Sequence, residues 1–411
     1  MNWKIIRIID ALIGIPLVLV LSPMARLLRR NRTADDPSSP TRILLVKFWG
    51  NGNIFLLQPA TMLLRSAYPH ASLELLTLTS NGDAAVCTKA YAAVHTVDTA
   101  GYGSFLRTTL AMLSQLRRRH YDIIIDFEQF ARFSALAVLL IGGGKTVGFR
   151  TAGQHRHHLF HEPLSYDNTV HVTRSYCMLA NAAGAPGTCG GPQPDADRFA
   201  PDGEGDAFLA RLGIEDGLPL VILHAGTSAN FRERRWPAAS FAELADLLLE
   251  TQELQIVLTG LADEAGIAAE IVARSRKGNR IIDASGRLTF FEYAALIRRS
   301  SVVVSGDTAA VHIASWLGVP VVGLYGPNTP ILYGPWSKGS LSVYAGLACS
   351  PCITNFNAKT TTCRHPEGKG VCMRKIRAAD VLRMMREQGM VPATPRARET
   401  RSRMAEVRCA D

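Results

Sequence analysis

The chain is poor in cysteine and in charge, and its apolar runs are short. Eight cysteines in 411 residues are too few for a disulfide-built scaffold, and Cys87, Cys177, Cys189 and Cys409 are scattered, so a reducing cytosol is the simpler compartment. Charged residues make up 19% against 47% hydrophobic, which suits a packed globular protein and excludes a disordered, collagen-like or coiled-coil chain. The N-terminal apolar run Ala11 to Leu21 would reach only about 16 Å as a helix, against a hydrocarbon core of about 30 Å. It is too short to span with confidence, and a polytopic membrane protein is excluded. A signal-peptide cleavage site is missing too: the run is followed by Ser22-Pro23 and then by Arg26, Arg29, Arg30 and Arg32, so export is not expected.

What charge there is lies at the ends. The net charge is +10, of which residues 1–34 and 394–411 supply +7, leaving a nearly neutral interior. That distribution favours a membrane surface for the basic ends over a nucleic-acid cleft, and no nucleic-acid partner is expected. Membrane attachment at residues 1–34 is expected, by an interfacial or re-entrant helix; if the segment spans, the basic flank keeps the main domain cytoplasmic.

A chain of this length exceeds one compact core and predicts two domains. After the linker-like Asp35 to Thr41, short apolar runs at Arg42 to Val46, Leu73 to Thr79, Tyr121 to Phe127 and Thr146 to Phe149 read as buried strands, with a helix over Phe105 to Arg119. The pattern stops near Gly190 to Pro194. It resumes with strands at Leu218 to His224, Gln255 to Thr259, Arg280 to Asp283, Val302 to Ser305 and Pro320 to Tyr325. Helices are expected between them at Ala239 to Glu250, Ala262 to Arg274, Phe290 to Arg299 and Thr308 to Leu317. Alternating β and α elements predict two doubly wound parallel sheets, with ligands at the carboxyl ends of strands in a cleft between the halves. The predicted divisions are an anchor over 1–34, Rossmann-like domains over 35–195 and 196–345, a cysteine loop over 346–375, a helix over 376–390 and a basic tail over 391–411.

Three segments of the second half carry chemistry suited to a nucleotide, two of them to its phosphates. Gly306-Asp307-Thr308-Ala309-Ala310-Val311-His312 is a tight turn into a helix with small first residues, which lets an anion approach backbone N–H groups, with His312 one turn in. Asp307 or Thr308 could cap that helix. Gly226-Thr227-Ser228 and Arg234 offer hydroxyls and a guanidinium suited to a diphosphate. Asp263 and Glu264, just beyond the next strand, are carboxylates that could accept from ribose hydroxyls.

In this order the segments resemble glycosyltransferase family nine, the bacterial heptosyltransferases of the GT-B fold. Leu44-Leu45-Val46-Lys47 with Gly52-Asn53, Trp236-Pro237, Leu317 to Pro320 and Tyr325-Gly326-Pro327 complete the likeness. The resemblance implies an inverting transferase moving a sugar, heptose included, from a nucleotide diphosphate to a membrane-associated, lipopolysaccharide-type glycan without a catalytic cofactor. Thr227, Ser228, Arg234, Asp263, Asp307, Thr308, Ala309 and His312 are its implied donor residues; Ala309 stands where the family often has glycine. It implies a site on the cytoplasmic face of the bacterial inner membrane. Alternatives are a nucleotide-sugar epimerase of the same fold and a non-catalytic sugar-nucleotide-binding scaffold.

One departure makes the scaffold plausible. Asn53 stands where the family usually carries the aspartate that deprotonates the acceptor, and an amide cannot take a proton at neutral pH. Three readings are open: another carboxylate serves, Asp83, Asp126 or Glu128, with Glu128, at the end of its strand, the first choice; the acceptor supplies its own base; or the chain is catalytically weak. The string Arg7 to Asp10 with Ser22-Pro23 further on also resembles the re-entrant membrane helix of monotopic phosphoglycosyl transferases, in which a Ser-Pro break turns the helix back. Finally, Cys349, Cys352, Cys363 and Cys372 open with a CxxC pair, which suits structural zinc or iron, with disulfides or unligated thiols as alternatives. A branch of family nine carries a similar four-cysteine iron finger.

Overall fold

The structure, a computed structural model, describes residues 3–31, 39–190, 207–227, 232–354 and 362–391, with side chains in the first stretch from residue 8 to 25. It divides into two compact units, one over Met1–Gly191 and one over Pro192–Thr354 and from Thr361 onward. The basic tail beyond residue 391 and the break near residue 192 lie outside the described residues.

The first unit is built on a six-stranded parallel sheet of β1 (Arg42–Val46), β2 (Ser72–Leu78), β3 (Ala93–Val97), β4 (Tyr121–Asp126), β5 (Gly143–Arg150) and β6 (Glu162–Ser165), in the order β3-β2-β1-β4-β5-β6. The central strands explain themselves. Ile43, Leu44, Leu45 and Val46 are all fully buried, each contributing about 1.5 to 3 kcal/mol, because helices cover both faces of a parallel sheet. β3 and β6 escape a reading by apolar runs, since as edge strands they are only partly covered.

The second unit repeats the plan with β7 (Leu220–His224), β8 (Gln255–Thr259), β9 (Ile281–Asp283), β10 (Val302–Gly306), β11 (Val321–Tyr325) and β12 (Leu341–Tyr344), in the order β12-β11-β10-β7-β8-β9. Both sheets therefore have the doubly wound Rossmann order, reversing direction between β1 and β4 and again between β7 and β10. Trp236 anchors the second core, donating its indole N–H to the Ile376 carbonyl at 2.9 Å.

The N-terminal segment differs from the expectation. Helices Trp3–Leu12 and Gly14–Asn31 meet at Ile13, so the break falls there and the second helix runs through Pro23 instead of turning at Ser22-Pro23. Pro23 has no N–H for the Leu19 carbonyl, and the Ser22 hydroxyl donates to that carbonyl instead, at 3.0 Å. Because helical structure extends beyond the run Ala11 to Leu21 on both sides, through the junction at Ile13, the apolar window Ile8–Ala25 has 18 residues at a mean hydropathy of 2.2. By length and composition it could cross a membrane, which corrects the shorter estimate. Asp10 ties this segment to the first unit. One carboxylate oxygen accepts from the backbone N–H of Arg132 and of Phe133, each at 3.0 Å, and the other from the Arg132 guanidinium at 3.0 Å. Those N–H groups open the helix Arg132–Ile141, whose own N-cap, Ala131, offers no side-chain acceptor, so Asp10 caps that helix from a distance. Gly14 permits the approach, since a Cβ there would lie 3.1 Å from Arg132.

A disulfide joins Cys177, on the helix Val172–Ala182, to Cys189. Two of the cysteines read as scattered are thus cross-linked, and cysteine usage no longer argues for a reducing compartment.

Candidate functional site

In the second unit the switch point lies between β7 and β10, and the expected phosphate-binding segments leave the sheet there. Thr308 caps the helix Ala309–Trp316: its hydroxyl accepts from the Ala310 N–H at 3.2 Å and contacts the Ser305 hydroxyl at 2.9 Å. Asp307, the other capping candidate, does different work. Its carboxylate accepts from the Asn328 amide at 2.7 Å and lies 3.3 Å from the Arg234 guanidinium, which also donates to the Asp307 carbonyl at 3.0 Å. Arg234 is thus held against the turn preceding the helix. Gly306 makes room, for a Cβ there would lie 3.3 Å from the Arg234 carbonyl. Ala309 is the first helical residue, and His312 sits buried within the helix with its ring 6.3 Å from that of Tyr333. Arg234, Asp307, Thr308, Ala309 and His312 are therefore brought to one place, a helix start with a guanidinium beside it.

The Thr227 loop is organised by the second member of the acidic pair. Glu264 is buried and accepts from the Thr227 N–H at 2.6 Å and from the Leu261 N–H at 2.9 Å. Its carboxylate fills the space over Gly226, where a Cβ would lie 2.0 Å from Oε2. Asp263, the member of the acidic pair expected in the site, is exposed. Glu264 turns inward to serve backbone donors, and its neighbour points to solvent. Ser228 lies outside the described residues. Behind the loop, His224 shares its Nδ1 with the Thr259 hydroxyl at 3.0 Å and the Tyr293 hydroxyl at 3.1 Å. Burial pushes its pKa down to about 4, so the imidazole is neutral.

The first unit has its own switch point, between β1 and β4. Lys47 and Glu128 follow these strands and form a buried ion pair at 2.9 Å. The other carboxylate oxygen of Glu128 accepts from the N–H of Phe48 at 2.7 Å and of Trp49 at 2.8 Å. Together these contacts hold the carboxylate in the β1 loop. Asn53 donates to the Trp49 carbonyl at 2.8 Å and accepts from the Tyr176 hydroxyl at 3.5 Å. Its amide lies against Gly50, whose φ of 89° is left-handed and whose Cβ would come within 2.8 Å of it. Asp126 binds Ser134 at 2.8 Å and pairs with the fully buried Arg156, and burial raises its pKa against the pull of that guanidinium. Asp83 is exposed.

Of the clustered cysteines, Cys349 is exposed, Cys352 and Cys363 are half-buried and Cys372 is buried, all as free thiols. Burial raises the Cys372 pKa to about 11, and the charges of Cys352, Cys363 and Cys349 push it the same way. The four thiols thus share one neighbourhood and are chemically a soft-metal donor set. Among the described residues, though, no three histidine, cysteine or acidic side chains are arranged to hold an ion.

The sequence model of glycosyltransferase family 9 (heptosyltransferase) matches residues 109–361, across both units. The chain belongs to glycosyltransferase family 9. Lipopolysaccharide heptosyltransferase 3 of Escherichia coli K12 is 23% identical over 303 residues, 72% of this chain and 86% of that protein. Lipopolysaccharide heptosyltransferase 1 of Salmonella typhimurium is 28% identical over 241 residues, 56% and 68% of the two chains. The structure of E. coli ADP-heptose lps heptosyltransferase II superposes with a TM-score of 0.66 at 20% identity, covering 85% of this chain and 98% of that one. An E. coli heptosyltransferase with ADP gives 0.63 at 21%, covering 85% and 100%. As a family 9 member the chain is a glycosyltransferase, and its two Rossmann-like sheets are those expected of the GT-B fold.

Glu264 was legible only as one of an acidic pair beyond the end of β8. His224, Tyr293 and Asn328 border the second-unit candidate site and escaped sequence reasoning, because they act through contacts between segments far apart in the chain.

Proposed function

We propose that this family 9 glycosyltransferase transfers heptose from a nucleotide diphosphate heptose, with inversion, to a lipopolysaccharide-type acceptor at the cytoplasmic face of the bacterial inner membrane. The observation that carries the donor half is the switch point of the second sheet, where a capped helix start, Arg234 and His312 converge on the place an anion would take. Relatives named for ADP-heptose and for binding ADP support that class of donor. Developing charge on the leaving diphosphate would be met by Arg234, the helix N–H groups and the Thr227 loop, through electrostatic preorganisation. The test is incubation of the full chain with ADP-heptose and bacterial membrane extract. ADP release accompanied by labelled acceptor supports the reading; ADP binding with no turnover sinks it and leaves a sugar-nucleotide-binding scaffold.

Asn53 and Glu128 occupy the acceptor side of this proposal. Replacing Asn53 by Asp puts a carboxylate in the family's usual position but removes the N–H that the Trp49 carbonyl accepts. A higher transfer rate in Asn53→Asp identifies the missing base as the limit; an unchanged or lower rate points to Glu128 or to the acceptor itself.

Membrane attachment rests on the apolar window Ile8–Ala25 and on its exposed side chains Ile8, Leu12, Ile13, Leu17 and Val20. Full-length protein in the soluble fraction after lysis is the result that excludes it. The cysteine quartet is proposed as a structural zinc or iron site, supported by its CxxC spacing and shared neighbourhood. Elemental analysis of native protein is expected to find about one metal per chain, and metal-free protein of full stability rejects the site.

A further inference from the structure

The run Arg232-Glu233-Arg234-Arg235 sends its basic side chains in different directions. Arg234 binds Asp307 at the switch point. Arg232 and Arg235 instead line a separate open pocket of about 340 Å³, whose other wall is Lys369, Gly370 and Arg374 from the segment after Cys363. Four cations thus surround one cavity, with Glu233 in its lining and Glu264 3.9 Å from the Arg235 guanidinium as the acids beside them.

Three observations make this arrangement a site for an anion. Cations gathered around one hollow repel one another unless a negative charge enters, and concave walls concentrate their field. Arg374 is set in place by the loop it follows: it donates to the Lys369 carbonyl and to the Glu367 carbonyl, the latter at 3.3 Å. A guanidinium fixed by backbone acceptors has already lost the rotamer freedom that ligand binding would otherwise cost. The Nε of Arg235 is buried and has no hydrogen-bond partner among the described residues. Its guanidinium lies 3.9 Å from Glu264, too far for a hydrogen bond. A buried N–H without an acceptor is costly and uncommon, so this guanidinium keeps unfilled hydrogen-bonding capacity beside the pocket.

We propose that this pocket binds a phosphate group, as a second anion site distinct from the switch point at Arg234. Guanidinium forks and an ammonium from two chain segments suit the three outer oxygens of a phosphomonoester better than a single planar carboxylate. The phosphate could be free in solution or carried on a lipid headgroup, and the chemistry is the same. The site does not depend on the identity of the transferred sugar, so its test reads binding and not turnover.

The experiment compares the full chain with Arg232→Ala/Lys369→Ala, two exposed positions whose loss should leave the fold intact, and with Arg234→Ala. Inorganic phosphate binding is measured by calorimetry, and sedimentation is measured with vesicles containing phosphatidic acid against neutral vesicles. The double variant is expected to bind at least tenfold more weakly in one arm, naming the source, while Arg234→Ala keeps that binding. Arg374→Ala should reproduce the loss. Binding in both arms that is unchanged in the double variant, or lost only in Arg234→Ala, overturns the proposal, as does the absence of any binding by the unmodified chain.

Discussion

Glu264 and Asp263 are adjacent, both acidic, and placed by the structure in opposite environments, so exchanging each for alanine separates the two. Glu264 accepts two backbone N–H groups at 2.6 and 2.9 Å while 7% exposed. Hydrogen bonds to a charged acceptor are worth about 1.5 to 3 kcal/mol each, and they are not additive in one loop. Water entering the vacated space over Gly226 would restore part of the loss. Glu264→Ala is therefore expected to cost about 2 to 4 kcal/mol, with a melting temperature several degrees lower, whereas exposed Asp263→Ala should stay within about 0.5 kcal/mol. Because Glu264 holds the Thr227 N–H, ADP affinity should fall with it. Denaturant unfolding gives the stability change, and calorimetry with ADP, on protein still folded, gives the affinity. If Asp263→Ala weakens ADP binding more than Glu264→Ala, the role given to Glu264 in ordering the loop for ADP is wrong.

Arg234→Ala should weaken ADP binding by roughly 10- to 100-fold, matching a charge-assisted bond of about 1.5 to 3 kcal/mol; equal affinity by calorimetry removes Arg234 from the site. Glu128→Gln leaves Lys47 buried beside an uncharged partner and should destabilise the first unit by about 3 to 5 kcal/mol; lost transfer with unchanged stability would instead make Glu128 a base. His224 gives a pH dependence. Its folded pKa of about 4 lies below the ordinary 6.5, so the unfolded chain takes up a proton that the folded one refuses. Its contribution is complete above pH 6.5 and falls as the pH drops toward 4, by on the order of 3 kcal/mol. His224→Gln should flatten the stability profile across that window, and an identical slope in both proteins refutes the account.

The fold was largely legible before any coordinates. Runs such as Arg42 to Val46 and Gln255 to Thr259 are apolar on both faces, which only a covered parallel strand requires, and they alternate with helical stretches. Edge strands β3, β6 and β12 lack that signal because one side faces less protein. The phosphate-binding turn at Gly306 to Ala310 was also readable, since its small residues and capping threonine act locally. Local sequence could not say which acidic residue after β8 turns inward, nor that Asp307 holds Arg234 while Thr308 does the capping. It could not show that Asp10 caps a helix beginning at Arg132, nor that neighbouring arginines part toward two places. Each depends on segments distant in the chain meeting at a defined distance. Apolar periodicity reports how much of an element is buried, whereas the partner of a buried charge is fixed only when the sheets are wound and the loops at their carboxyl ends are brought together.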